Sequence, residues 1–318
     1  MSANVDKLKP DWAGDDFLSR IVNLLIKTKP IYGLMKRQAR QVLIKTAEKN
    51  GIPWRKNYQE LAKSQVKSLY DAIANPDLEY PDYYQVPFHA YDEGNLCWQA
   101  AFEAESATQS MGLRVWKDEP GLTWQAAQQR LRNSFHQVLA DYLPSKVSDV
   151  LDIGCSVGIS TTTLRDFLLT RQETTLSTTG LDLSPYMLAV ASKKDSQKNI
   201  QWLHGNAEQT DFADNSFDLI TLQFLIHELP HSATNNIFHE AKRILRSGGI
   251  IAIVDNNPGS KVIQNLPPVL FTLMKSTEPW SDEYYTFDVE QALIEAGFDY
   301  KTTLESDPRH RTIIAIAQ

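Results

Sequence analysis

Residues 150 to 160 read Val-Leu-Asp-Ile-Gly-Cys-Ser-Val-Gly-Ile-Ser, and no other stretch restricts the fold as tightly. An apolar run carries an acid, Asp152. A turn follows with Gly154, Ser156 and Gly158, and a helix opens at Ile159, Ser160 and Thr161. Glycine lets a ligand approach the backbone closely, and the first turn of a helix offers free N–H groups. The pattern predicts a ligand cradle at the C-terminal end of a strand, where open α/β sheets bind their ligands. It departs from the dinucleotide fingerprint, which needs three glycines at fixed spacing to seat a pyrophosphate. Here Gly154 and Gly158 stand four apart with Ser156 between them, and position 159 is Ile. An acid two residues before the first glycine suits a cation better than a phosphate, so a nicotinamide dinucleotide is disfavoured.

A second short strand ends at Asp182, with Ser184 as the N-cap of the next helix and Pro185 in its first position. An ionised carboxylate is acceptor-only, so Asp182 can receive both hydroxyls of a ribose. An acid beside a helix N-terminus is favourable in any case, and that plainer role stays open. Residues 200 to 206 read as a third strand, and a fourth runs from Phe217 into a turn ending at Leu229. An amphipathic helix over 234–246 places Ile237, Ala241, Ile244 and Leu245 on one stripe, with Ser247-Gly248-Gly249 as its exit. Ile250 to Val254 is apolar on both faces, as a buried parallel strand should be. A helix over 288–296 and strands near 299–305 and 311–317 close the chain. Only Ser306 to Arg309 join the last two strands, too little for a crossover, so they should run antiparallel. Strands alternating with helices predict an open α/β sheet with right-handed crossovers.

In this order and spacing, residues 147–318 resemble the class I S-adenosylmethionine (SAM) methyltransferases, whose first motif usually reads Asp/Glu-x-Gly-x-Gly-x-Gly. The resemblance implies a Rossmann-like, seven-stranded, mostly parallel sheet with an antiparallel last strand, and SAM as cofactor. It implies that Gly154 and Gly158 line the amino-acid end of SAM, with Ser156 in place of the usual middle glycine. Asp152 would orient the ammonium, partly through the turn. Where the family often reads Gly-Asp-Ala-Glu, this chain has Gly205-Asn206-Ala207-Glu208. The family's Asp binds the adenine amino group, and the carbonyl of Asn206 can accept the same hydrogen bond. Phe212 then reads as a wall of the adenine pocket or as loop packing, and Gln223 as a ligand contact or a brace within its strand.

The 318 residues suggest one large or two modest domains. No apolar run approaches the ~20 residues of a membrane span. Met1 to Asp16 is polar and partly acidic, unlike a secretory signal. Cys97 and Cys155 are the only cysteines, which argues against a disulfide framework or a thiolate zinc site. The expectation is a cytoplasmic protein without a metal, with membrane association left open. Residues 1–146 lack the nucleotide motifs and read as a helical cap region, with helices near 16–28, 31–50, 57–74 and 122–142. The stretch 75–120 reads as irregular and rich in aromatics, and 147–318 as the SAM-binding domain.

The net charge of −7 is unevenly spread. From Phe17 to Asn50 the chain carries Arg20, Lys27, Lys29, Lys36, Arg37, Arg40, Lys45 and Lys49 against Glu48 alone, a net of +7 that leaves −14 elsewhere. With Ile21, Leu24, Leu25, Ile31, Leu34 and Met35, segment 17–50 can lie on an anionic membrane or over phosphates. It can equally be a solvated basic face whose apolar stripe packs on the catalytic domain. The acidic remainder argues against a nucleic-acid partner.

Methyl transfer from a sulfonium is an in-line displacement, and the enzyme mainly holds the nucleophile at near-attack distance. A phenol, alcohol or activated carbon also needs a base, which typically contributes ~10²–10⁴-fold. His227 stands where the fourth strand ends and fits that role; a His capping a turn is the alternative. Tyr80 to Tyr84 and Phe88 to Trp98 mix aromatics with His89, Asp92 and Glu93, which suits a lid over a flat substrate or an interdomain contact. The long connection 258–286, with Pro267, Pro268, Phe271, Met274, Trp280, Tyr284 and Tyr285, reads as a second cover. The catalytic half is similar to the quinone and small-molecule methyltransferases of the ubiquinone/menaquinone branch. The resemblance implies a small aromatic or lipophilic acceptor, quinol- or phenol-like. A tRNA or protein methyltransferase docking through the basic arm and a non-catalytic SAM-binding module are the alternatives.

Overall fold

The computed structural model describes residues 20–21, 24–25, 27–172, 175–267, 272 and 276–318. Pro268, Phe271, Met274 and most of the helix expected at 16–28 lie outside the described residues. The N-terminal helices are α1 (Lys29–Lys49), α2 (Trp54–Lys63), α3 (Val66–Ile73), α4 (Trp98–Val115) and α5 (Trp124–Ala140). Then β1 (Asp149–Ile153), α6 (Ile159–Leu169), β2 (Ser177–Asp182), α7 (Pro185–Lys194), β3 (Gln201–His204) and β4 (Phe217–Gln223) follow. The chain closes with α8 (His231–Ile244), β5 (Leu245–Asn256), α9 (Lys261–Gln264), α10 (Ser281–Thr286), α11 (Val289–Glu295), β6 (Phe298–Glu305) and β7 (His310–Ala317).

The strands form one 7-stranded sheet in the order β3-β2-β1-β4-β5-β7-β6. β1 pairs in parallel with β2 and β4, while β7 runs antiparallel to both β5 and β6. The mostly parallel sheet with an antiparallel last strand is therefore present. The chain winds outward from β1 to β3 and then returns to β4 on the other side of β1. That reversal opens a crevice outside the C-terminal ends of β1 and β4.

Alternate residues of the same strands face opposite layers. Leu151, Ile153, Ile220, Leu222, Ile251 and Ile253 pack with Ile237, Phe238 and Ala241 of α8 and Leu293 of α11. Val150, Leu219, Ile250, Ala252 and Val254 pack with Phe135 and Leu139 of α5 and Leu164 and Leu168 of α6. Each fully buried aliphatic side chain contributes about 1.5–3 kcal/mol. Helix α5, read from sequence as part of the N-terminal region, thus helps form the main core.

Three sequence expectations need correction. The stretch 75–120 is not irregular throughout, because α4 occupies Trp98–Val115. Its buried side includes Glu103, Ser106, Gln109 and Ser110, so no apolar stripe announces it. The helix expected over 57–74 is two helices, α2 and α3, parted at Ser64 and Gln65. Ser247-Gly248-Gly249 is not a helix exit: α8 ends at Ile244 and these residues lie inside β5. There the pairing with β4 shifts register between Phe217 and Leu219, and Gly248 takes a φ of 80°. A bulge absorbs the glycines instead of a cap.

Candidate active site

The first cradle is built on Gly154, Ser156 and Gly158, all with left-handed backbone, at φ of 69°, 49° and 80°. Ser156 thus holds a conformation that the family's usual glycine would adopt freely. A Cβ on Gly154 would lie 2.6 Å from Cδ1 of Leu225. Gly158 faces Trp202 and Ala191, so its close approach serves helix–strand packing. Trp202 also presses on Gly180, a contact with no local sequence signal.

Asp152 is almost sealed from solvent and already engaged. Thr161 and Thr221 each donate a hydroxyl to it at 2.6 Å, and Gln223 Nε2 approaches at 3.4 Å. Burial raises its pKa, and the three donors oppose that rise. Its visible work is to tie β1 to the first turn of α6 and to β4. Arg132 of α5, also buried, donates to Ser160 Oγ at 2.9 Å and lies over the Phe224 ring. Burial holds its pKa down to about 10, and Asp152 opposes that shift. This cation was not marked in the sequence, because an Arg on a helix usually faces solvent.

Asp182 closes the β2 end of the crevice. One of its oxygens accepts from Ser156 N and the other from Ser184 N, each at 2.7 Å. Burial raises its pKa to about 6 against those two bonds. Each oxygen keeps a further lone pair for a hydroxyl. Asn206 Oδ1 accepts from Glu208 N at 2.9 Å, so its amide is fixed by its own turn. Ala207 and Phe212 join the main core there.

At the end of β4, Phe224 takes a φ of 59°, and the chain turns into a short 3-10 helix, Ile226–Glu228. The turn delivers His227 to Asp255 at the end of β5. His227 Nδ1 lies 2.7 Å from Asp255 Oδ1, and the backbone N of His227 donates to Oδ2 at 3.2 Å. Burial pulls the His227 pKa down, but Asp255, Glu228 and Glu278 outweigh it and set it at about 9. Glu228 Oε1 lies 4.0 Å from His227 Nε2 and 3.5 Å from His89 Nε2. Burial raises the Glu228 pKa to about 8, though His227 pulls against it. His89 is pushed below the ordinary histidine range by burial, despite the opposing charge of Glu278. Near neutral pH the cluster is therefore an imidazolium on a buried carboxylate beside a protonated Glu228. Among the described residues no group of three or more His, Cys, Asp or Glu could hold a metal ion.

The covers over this cluster meet each other. Residues Tyr80 to Tyr84 reach it from one side: Tyr80 and Tyr84 stack, and Tyr83 donates to Glu208 at 2.8 Å. Trp280 packs edge-on against Tyr83, and Tyr284 against His227. Of the residues expected to bind or react, the structure brings Gly154, Ser156, Asp182, Gln223 and His227 to the ends of β1, β2 and β4. It places Asp152 beneath them and Gly158 on the packing side. Asp255, Glu228, Glu278 and Arg132 were not assigned from sequence. A buried acid directly after an all-apolar strand was the one available sign for Asp255.

The residues present fit SAM on two observations: the left-handed turn at 154–158, and Gln223 Oε1, which is buried without a partner among the described residues. Residues 151–253 match a family model described as "Methyltransferase domain". A demethylmenaquinone methyltransferase from Listeria monocytogenes is 37% identical over 94 residues, covering 27% of this chain and 39% of that protein. One from Bacillus licheniformis is 32% identical over 113 residues, covering 35% and 46%. The chain spans less than half the length of these curated relatives. Among solved structures, a SAM-dependent methyltransferase from Aquifex aeolicus superposes with a TM-score of 0.47 at 20% identity, over 65% of this chain and 98% of its own. Another from Mesorhizobium loti gives 0.43 at 18%, over 57% and 97%. The match over residues 151–253 bears out the resemblance to the SAM-dependent methyltransferases.

Proposed function

We propose that this protein is a SAM-dependent methyltransferase acting on a small aromatic or lipophilic acceptor with an ionisable hydroxyl, of the quinol or phenol kind. The observation that carries the reading is the His227–Asp255 pair beside the motif turn, under aromatic covers. The names of the curated relatives support a quinone-type acceptor.

SAM supplies an electrophilic methyl group. Gly154, Ser156 and Gln223 hold its amino-acid end, Asp182 its ribose, and Asn206 with Ala207 its adenine. The neutral fraction of His227 takes the acceptor's proton, and Asp255 stabilises the imidazolium that forms. That fraction grows as pH approaches about 9, so the rate rises across the neutral-to-alkaline range. The helices of the N-terminal region that precede α5 act as a cap, and α1 is the surface through which the protein meets a membrane-dissolved acceptor.

The test is incubation with methyl-labelled SAM and a reduced demethylmenaquinone, or a lipid extract of the source cells, followed by solvent partition. Label in the organic phase, reduced ~10²–10⁴-fold by His227→Gln, supports the reading. Label that stays in water and is lost on ribonuclease or protease treatment rejects it in favour of a macromolecular acceptor. No transfer despite confirmed SAM binding rejects it in favour of a non-catalytic module.

A further inference from the structure

Helix α1 presents two different faces. Its outward residues recur at helical spacing: Leu34, Arg37, Gln38, Gln41, Val42, Lys45 and Lys49 are all exposed. Leu34 is 58% and Val42 62% accessible, although both are apolar. Just before the helix, Arg20, Leu24 and Lys27 are exposed too. The one acid of this segment, Glu48, is paired with Arg55.

The inward residues hold the covers of the site. Tyr32 donates its hydroxyl to the carbonyl of Ser276 at 2.5 Å, at the start of the described stretch 276–286 of the second cover. Lys36 pairs with Asp92 of the lid at 2.6 Å. Arg40 pairs with the buried carboxylate of Glu103, which also accepts from Tyr91 of the lid at 2.7 Å. The two covers are joined to each other where His89 N donates to Thr277 O at 2.8 Å. The lid turn between Phe88 and Tyr91 carries two left-handed residues in succession, His89 at 48° and Ala90 at 70°. Hairpin turns of that shape call for Asn or Gly, so this one persists because its surroundings hold it.

We propose that the outward face of α1 docks on an anionic phospholipid bilayer, and that docking frees the two covers which its inward face ties down. This rests on the reading of a lipophilic acceptor. Basic side chains interspersed with exposed Leu34 and Val42 match a surface that is anionic outside and apolar beneath. A nucleic acid offers the charge but nothing for the apolar residues. The lid tip has the opposite charge: Asp92 is 82% exposed at its side chain and Glu93 is exposed beside it. A negative surface therefore draws α1 in and drives Asp92 away, which separates the Lys36–Asp92 pair. With its Asp92 side open to water, the pair is screened on that side and yields to competing phosphates. An acceptor dissolved in the bilayer then meets an open site only where the acceptor is.

The experiment is co-sedimentation of the full chain with vesicles of phosphatidylglycerol and phosphatidylcholine in equal parts, and of phosphatidylcholine alone. Amide hydrogen exchange over 82–96 and 276–287 is followed in parallel. The expected result is binding to the anionic vesicles only, with exchange at Tyr91 and Gly94 rising at least fivefold on binding. Arg37→Glu with Lys45→Glu should lower vesicle binding at least tenfold and remove the rise. Tyr32→Phe with Asp92→Asn keeps every basic charge. It should bind vesicles as the wild type does, with exchange already high before lipid is added. Vesicle binding with unchanged exchange, or wild-type exchange in that second variant without lipid, overturns the coupling. No vesicle binding, or binding to duplex RNA alone, overturns the surface. SAM affinity measured on the same samples separates the two proposals: if it is retained, such a failure falls on α1 and not on the methyltransferase reading.

Discussion

His227 Nδ1 lies 2.7 Å from Asp255 Oδ1, and the Asp255 side chain is only 1% exposed. The partners come from the ends of adjacent parallel strands, so the register between β4 and β5 sets their meeting. In Asp255→Asn the charge is gone while burial still lowers the His227 pKa. An NMR titration of its ring should find the pKa moved from about 9 to the ordinary histidine range or below. A value still above 8 would show that Asp255 does not hold the proton.

The same cluster gives the protein a pH-dependent stability. Glu228 and His227 both bind their protons more tightly folded than unfolded, with pKa values raised from 4.5 to about 8 and from 6.5 to about 9. Each therefore loses stabilising effect as pH rises through its own interval. Below pH 6.5, His89 and His136, whose pKa values burial lowers, work in the opposite direction. Urea unfolding should show stability falling between pH 6.5 and 9, and Glu228→Gln should flatten the lower part of that fall. A wild-type curve that rises over this interval would contradict the protonation assigned to the pair.

Asp182 joins the motif turn to β2 through two backbone bonds. Asp182→Ala should weaken SAM binding by about 1.5–3 kcal/mol for each hydroxyl bond to the charged group. Asp182→Asn, which keeps one acceptor, should lie between it and the wild type. Isothermal titration calorimetry decides; equal affinity in all three proteins would remove the ribose role.

Ser156 bears a strained φ of 49° at the turn. Ser156→Gly should relieve that strain and raise stability by at most about 1 kcal/mol, because the freer unfolded chain offsets part of the gain. A drop of the same size in denaturant unfolding would mean that the Ser hydroxyl has a partner worth more than the strain.

Gly180 shows the reverse case. A Cβ there would stand 2.7 Å from Cζ3 of Trp202 and 2.9 Å from Cys155 Sγ. Gly180→Ala should cost about 1–3 kcal/mol through overpacking, and Trp202→Leu in the same chain should recover part of it. Thermal unfolding of the single and double variants reads the coupling directly, and additive losses would place the cause elsewhere.

The catalytic half was legible because its motifs are demands on the backbone. Gly154 and Gly158 mark left-handed turns, and the acids Asp152 and Asp182 mark strand ends. What escaped reading was set by tertiary contact. Helix α4 buries polar side chains that find partners only in the fold, such as Asn57 with Ser106 and Arg40 with Glu103. The role of Asp255 depends on His227 arriving from a turn after a strained Phe224, which no local pattern records. Gly158 also lies against Trp202, a packing contact that sequence spacing cannot record.

Glu103 also bears on how the protein can be cut. Its carboxylate is almost fully enclosed, and the cation that pairs with it, Arg40, comes from a different helix. A fragment starting after Asn50 would retain the buried anion and lose its counter-charge. Because Arg40 is itself about a third exposed, its loss costs less than the ~3–5 kcal/mol of a fully buried pair. Helix α1, through Arg40, is thus part of the electrostatic balance of the fold that follows it. A shortened chain that aggregates or loses its lid would report that imbalance before it reported anything about membranes.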